Sequence, residues 1–139
     1  VTDKRMTRFW ITLNQGVDFV IPCIEKLCGG EGFVPRIPSM GIMDLVKAIA
    51  PNCQVKDIGI RPGEKLHETL VSFDEARHTL ALKDMYVIKP EYRSWGGEEW
   101  TEGDPLPDGF KYTSDSNDQW LTADELKRMV EGKGMKAEG

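Results

Sequence analysis

The sequence predicts a small α/β fold, α+β in its detail, and three observations carry that reading. Apolar residues recur at helical spacing in separate segments, two of which open on capping boxes at Thr12 and Thr122. Short β-rich runs, punctuated by Gly and Pro, alternate with those segments. The chain has 139 residues, 40% hydrophobic and 29% charged, which suits one globular domain and excludes a disordered or fibrous chain.

The elements follow in order. Thr12 to Leu27 reads as the first helix: Thr12 and Gln15 form the box, and Leu13, Val17, Val20, Ile24 and Leu27 share a helical period. Pro22 lies inside this run and removes one backbone hydrogen bond at a cost of roughly 3 kcal/mol, so a kink or an early end is expected before Gly29 and Gly30 stop the helix. Glu31 to Arg36 reads as a strand. Ser39 to Ala50 reads as a second helix, with Ile42, Leu45, Val46 and Ile49 on one face and Pro51 at its end. Gln54 to Ile60 reads as a strand, Pro62 and Gly63 as a turn, and Glu64 to Leu70 as a short third helix with Leu66 and Leu70 on one side. The order so far is a repeating β, α, β, α.

Thr79 to Leu82 and Met85 to Ile88 then form a hairpin or a bent strand around Lys83 and Asp84, closed by Pro90. Residues 91–117 are dense in Gly, Pro, Asp and Trp and read as an irregular arm. The last helix, Thr122 to Val130, is boxed by Thr122 and Glu125 and ended by Gly132. The expected organisation is a lobe of β/α units at 1–90, the arm at 91–117 and a C-terminal helix and tail at 118–139.

Composition excludes several function classes. A net charge of −5 and a pI near 5.1 argue against a nucleic-acid partner, which would require a clustered basic face. The longest mainly apolar stretch, Phe19 to Ile24, falls far short of the roughly 20 residues of a membrane span, and no signal-peptide pattern is present. Cys23, Cys28 and Cys53 form no CxxC pair, so reduced thiols and a cytoplasmic location are expected. His67 and His78 lack metal-ligand spacing, and no metal site is expected.

The most informative segment is Arg61-Pro62-Gly63-Glu64-Lys65, between an expected strand end and an expected helix, where ligands collect in open α/β sheets. A planar guanidinium can fork onto two phosphate oxygens, the Pro-Gly turn fixes its direction, and Glu64 can accept hydrogen bonds from sugar hydroxyls. Taken alone, the same five residues also suit an ordinary surface turn. Met6-Thr7-Arg8-Phe9-Trp10 places a second arginine just before the first helix, whose N-terminus favours an anion. Two arginines could then straddle a diphosphate; otherwise Arg8 is an exposed charge and Phe9 and Trp10 are core.

Five ordered segments resemble the C-terminal part of inverting UDP-N-acetylglucosamine 4,6-dehydratases. They are Val1-Thr2-Asp3, Met6 to Ile11, Phe33 to Met40, Ala48 to Pro51, and Ile58 to Glu68. These enzymes are extended short-chain dehydrogenases/reductases that open the path to pseudaminic acid and related surface sugars. The resemblance implies a small substrate-binding lobe of that fold, without its Rossmann domain. It implies that Arg8 and Arg61 contact the UDP diphosphate and that Glu64 contacts the uridine ribose. Met6 and Thr7 would line the nucleotide pocket, and Pro35 to Met40 would form a wall beside it.

Departures from the family pattern set the functional expectation. Gly30-Glu31-Gly32-Phe33-Val34-Pro35 fails the spacing of a dinucleotide turn. The family's tyrosine and lysine, four positions apart, have no counterpart: Tyr86 and Lys89 are three apart in a strand-like run. NADP, the family's cofactor, is therefore not expected to be bound by this chain. A family enzyme has completed its nucleotide-binding sheet before the Val1-Thr2-Asp3 segment.

The chain is thus expected to be non-catalytic alone, with a UDP-sugar as its ligand at about millimolar affinity. The alternatives are a self-associating homo-oligomer or one half of a split dehydratase completed by a separate Rossmann-domain partner. Trp95, Trp100 and Trp120 serve either as anchors for such an association or as packing of the arm onto its own domain.

Overall fold

A computed structural model of the chain describes residues 1–92 and 98–131. In chain order its elements are β1 (Thr7–Phe9), α1 (Leu13–Lys26), β2 (Gly32–Pro35), β3 (Ser39–Gly41), α2 (Ile42–Ile49) and β4 (Thr69–Val71). A 3₁₀ turn (Glu75–His78) precedes β5 (Thr79–Ala81), β6 (Met85–Ile88), β7 (Asp104–Pro105), β8 (Tyr112–Thr113) and α3 (Ala123–Val130). The described residues form two compact units, one of residues 1–10, 37–68 and 114–131, the other of residues 11–36, 69–92 and 98–113. The mixed α/β class expected from the sequence is the class observed.

The first unit is built on an antiparallel ribbon of β1 and β3, in which Thr7, Arg8 and Phe9 face Gly41, Met40 and Ser39. Ser39 is fully buried; its N–H donates to Gln119 O (2.9 Å) and its carbonyl accepts from Leu121 N (2.8 Å). The Asn117 amide nitrogen fixes this crossing by donating to Ile37 O and Ser39 Oγ. Met40, Ala48, Leu121 and Leu126 form the core, with Trp10, Leu45 and Met129 packed against it. α3 opens on the Thr122–Glu125 box that the sequence indicates. Its ending at Gly132 lies outside the described residues.

The second unit holds an antiparallel sheet in the order β2-β6-β5-β7. Phe33 and Leu80 both pair with Val87, which places all three on one face of the sheet. There Cys23 of α1, Leu80, Met85, Val87 and Trp100 make the core, joined by Phe19, Cys28 and Phe33. On the other face the Tyr86 ring lies 5.0 Å from Tyr112 and 5.5 Å from Phe110. The hairpin at Lys83-Asp84 is present as read from the sequence, closed by Leu82 N–H to Met85 O. The capping box of α1 also forms, and the helix runs unbroken through Pro22 to Lys26.

Four expectations are corrected. Ser39–Gly41 is strand rather than the first turn of the second helix, because its backbone is taken by β1 and by residues 119–121. Gln54–Ile60 forms no strand: Ile58 N–H donates to Val1 O and Lys56 O accepts from the Val1 amino group, so the segment meets a single N-terminal residue, whereas a strand requires a neighbour with a row of free donors and acceptors. Glu64–Leu70 is not a helix. The Lys65 and Leu66 carbonyls that a helix would need accept instead from Arg8 and Thr7, and both backbone groups of Glu68 bond Ser114. The β, α, β, α order accordingly gives way to named strand pairs that are all antiparallel. Among the described residues of 91–117 the chain is irregular apart from the short β7 and β8.

Candidate functional site

The five residues read from the sequence as ligand contacts, Met6, Thr7, Arg8, Arg61 and Glu64, lie within the first unit. Arg61 to Glu64 is a tight turn in which Glu64 N–H donates to Arg61 O (3.0 Å). Pro62 occupies its second position and Gly63, at φ +81°, its third, the pattern of a type II turn that no Cβ-bearing residue adopts freely. The Glu64 carboxylate closes the turn by accepting from Arg61 N (3.1 Å) and from Thr2 Oγ1 (3.0 Å). These bonds, led by that of the Arg61 N–H, hold the Glu64 carboxyl below its ordinary pKa, and the charges of Arg61 and Arg8 add to the effect. The Arg61 side chain is exposed and its guanidinium bonds no described residue.

β1 supplies the other three. Met6 and Thr7 are buried, while the Arg8 side chain is 25% exposed. The Arg8 guanidinium donates to the carbonyls of Thr7 (2.7 Å), Leu66 (3.0 Å) and Lys65 (2.9 Å). Its Nε faces Glu68 Oε1 at 3.5 Å, and its second terminal nitrogen also meets Met6 Sδ at 4.0 Å. Thr7 N–H donates to Leu66 O, so residues 65–68 run alongside β1. The structure therefore brings Arg8, Arg61 and Glu64 to one locality, with Met6 and Thr7 behind it.

Sequence reasoning missed Thr2, His67 and Ser114. Thr7 Oγ1 lies 2.8 Å from His67 Nδ1 and 2.7 Å from Ser114 Oγ, which accepts the Glu68 N–H. Nothing local marks this network, because its members are 60 and 107 positions apart. Beside it Asp3 grips Arg5 through both oxygens and is held down to about 2, chiefly by that side-chain hydrogen bond. Of the expected wall, Pro35 closes β2, and Ser39 and Met40 are buried in β3.

The residues implied for dinucleotide chemistry are placed for structure. Gly29 to Gly32 lead from α1 into β2, the reverse of the strand-to-helix turn that cradles a pyrophosphate. Tyr86 is buried in its aromatic cluster beneath the Arg36 guanidinium, and Lys89 pairs with Glu99 at 3.4 Å. Those glycines, Tyr86 and Lys89 are thus taken up by the fold of the described residues. Among them no group of three or more His, Cys, Asp or Glu could hold a metal ion, and no helix is long and apolar enough to cross a membrane.

Of the three tryptophans read as anchors or packing, Trp100 is core, edge-on to Phe33 at 5.4 Å. Trp120 is 46% exposed, and Trp95 lies outside the described residues.

Comparison with known proteins agrees with the resemblance read from the residues. Residues 1–90 match the family described as polysaccharide biosynthesis protein. Over 137 residues, the chain is 45% identical to the UDP-N-acetylglucosamine 4,6-dehydratase (inverting) of Campylobacter jejuni subsp. jejuni serotype O:23/36 (strain 81-176), covering 94% of this chain and 41% of that protein. It is 30% identical over 135 residues to the UDP-glucose 4-epimerase of Rickettsia massiliae (strain Mtu5), covering 40% of that enzyme. The structure resembles that of Pen from Bacillus thuringiensis with a TM-score of 0.77 at 28% identity, over 96% of this chain and 39% of the other. The chain therefore spans about two fifths of the length of these relatives and aligns with the C-terminal part of the dehydratases. With a family match over well more than half of its residues, the chain belongs to the polysaccharide biosynthesis protein family.

Proposed function

We propose that this chain holds a UDP-sugar, UDP-N-acetylglucosamine in the first instance, and does not convert it alone. One observation carries the reading: the Arg8 guanidinium donates to the carbonyls of Lys65 and Leu66, directly after the turn on which Arg61 N–H donates to the Glu64 carboxylate, so two arginines distant in sequence stand near one acceptor. Arg61 is the contact for the diphosphate, aided by the charge of Arg8. Glu64, whose carboxylate has lone pairs beyond the two it uses, accepts from ribose hydroxyls. Met6 and Thr7 back this surface. The relatives named above as UDP-sugar enzymes support the ligand class.

With contacts from one side, the ligand stays partly hydrated and the affinity is about millimolar. Calorimetry with UDP-N-acetylglucosamine should give heat of binding for the wild type and little for Arg61→Ala. Equal heats for the two proteins would remove the reading.

A second reading rests on α1. Leu13, Val17, Val20, Ile21, Ile24 and Leu27 are all exposed, from 49% at Val17 to 83% at Leu13. In this reading the helix docks on another polypeptide, either a second copy of the chain or a separate Rossmann-domain partner. Together with that partner the chain would complete a dehydratase.

A further inference from the structure

Both oxygens of the Glu64 carboxylate are engaged, by two separate stretches of the chain. Oε2 accepts from Arg61 N–H (3.1 Å), three positions earlier on the same turn, and Oε1 accepts from Thr2 Oγ1 (3.0 Å), 62 positions away. The first bond alone leaves the terminal torsion of a glutamate broad. The second, made to the other oxygen from elsewhere in the sequence, fixes the plane of the carboxylate.

Thr2 is itself held on both sides. Val1 donates to Lys56 O (2.8 Å) and accepts from Ile58 N–H (2.9 Å), while Asp3 O accepts from Met6 N–H (3.4 Å). Thr2 Oγ1 also lies 3.0 Å from Met6 Sδ, but a hydroxyl has one proton, and a charged carboxylate is a stronger acceptor than a thioether. Each Glu64 oxygen keeps a lone pair beyond the bond it accepts, which suits a ligand carrying two adjacent hydroxyls.

We infer that Thr2 is a positioning residue: its hydroxyl sets the plane of the Glu64 carboxylate so that both oxygens accept from the vicinal diol of a ribose, and it thereby selects a ribonucleotide over a 2′-deoxyribonucleotide. The selection rests on the nucleotide-sugar reading. The tether between Thr2 and Glu64 is a property of the free protein. Thr2→Ser keeps the hydroxyl proton and with it the tether, whereas Thr2→Val keeps the shape and loses it.

The test compares the wild type with these two variants. NMR titration of the side-chain carboxyl carbons without ligand should show the Glu64 midpoint moving up toward the ordinary glutamate value in Thr2→Val and staying in place in Thr2→Ser. The Arg61 N–H, the larger cause of the lowered value, remains in all three proteins, and only the hydroxyl that favours the charged form is removed. Glu125, held down by Thr122 in α3, is the control of the fold and should not move. Titration with UDP-N-acetylglucosamine and its 2′-deoxyuridine analogue should show the wild type and Thr2→Ser binding the ribonucleotide roughly fivefold more tightly, and Thr2→Val binding the two alike.

A Glu64 midpoint unmoved by Thr2→Val would overturn the tether. A preference for the ribonucleotide that survives in Thr2→Val, whatever its absolute affinity, would overturn the positioning role. If the wild type binds neither nucleotide, the functional reading fails instead, and the Glu64 midpoint alone decides the tether.

Discussion

At the scale of single residues, the network around Thr7 shows how a buried hydroxyl specifies structure. Ser114 Oγ is fully buried and already accepts the Glu68 N–H. The arrangement that uses every hydroxyl proton runs from Ser114 Oγ to Thr7 Oγ1 and on to His67 Nδ1, which leaves the imidazole hydrogen on Nε2. Removing the Thr7 hydroxyl strands a proton on one side and a ring nitrogen on the other. Thr7→Val should therefore lower stability by about 1–3 kcal/mol, and Thr7→Ser should recover most of the loss. Urea unfolding of the three proteins measures this; a valine variant as stable as the wild type would remove the network from the list of stabilising features.

At the scale of elements, α1 presents the clearest conflict between pattern and packing. Its period places Leu13, Val17, Val20 and Ile24 on one stripe, as for a helix that buries that stripe. In its own unit the helix packs instead through Phe19 and Cys23, four positions apart, and the apolar stripe faces outward. Ile24 is 68% exposed, so Ile24→Asp should change folding stability by no more than about 0.5 kcal/mol. If the stripe joins copies of the chain, sedimentation velocity across a concentration series should show association in the wild type and its loss in Ile24→Asp. A wild type that stays monomeric throughout would exclude self-association and leave a different polypeptide as the occupant of the second reading.

At the scale of the whole molecule, four carboxylates distributed over both units respond to acid in the same sense. Glu64, Glu75 and Glu125 are held below their ordinary value of 4.5, and Asp3 falls from 3.8 to about 2, each mainly through hydrogen bonds that only the charged form accepts. The unfolded chain then binds more protons than the folded one as pH falls through these values, so stability is complete above the ordinary pKa and is lost below it. The urea midpoint should be flat from neutrality down to about pH 5 and decline from about pH 4.5 toward pH 2. A midpoint that rises on acidification through that window would contradict the assigned bonds.

What the sequence by itself determined is what spans four residues or fewer. The boxes at Thr12–Gln15 and Thr122–Glu125, the Pro62-Gly63 turn and the hairpin at Lys83-Asp84 are each closed by partners within sight of one another along the chain. The family was legible for a related reason, since its ordered motifs are read in line. Only the tertiary structure decided the rest. Ser39–Gly41 became strand because β1 stands beside it, and Glu64–Glu68 gave up helix because Arg8, Thr7 and Ser114 claimed its backbone groups. Arg8 likewise gives donors to two carbonyls nearly sixty positions away, beside those its neighbours Thr7 and Met6 accept. A hydrogen-bonding group takes the best partner that folding brings to it, and for these groups that partner is far away in the sequence.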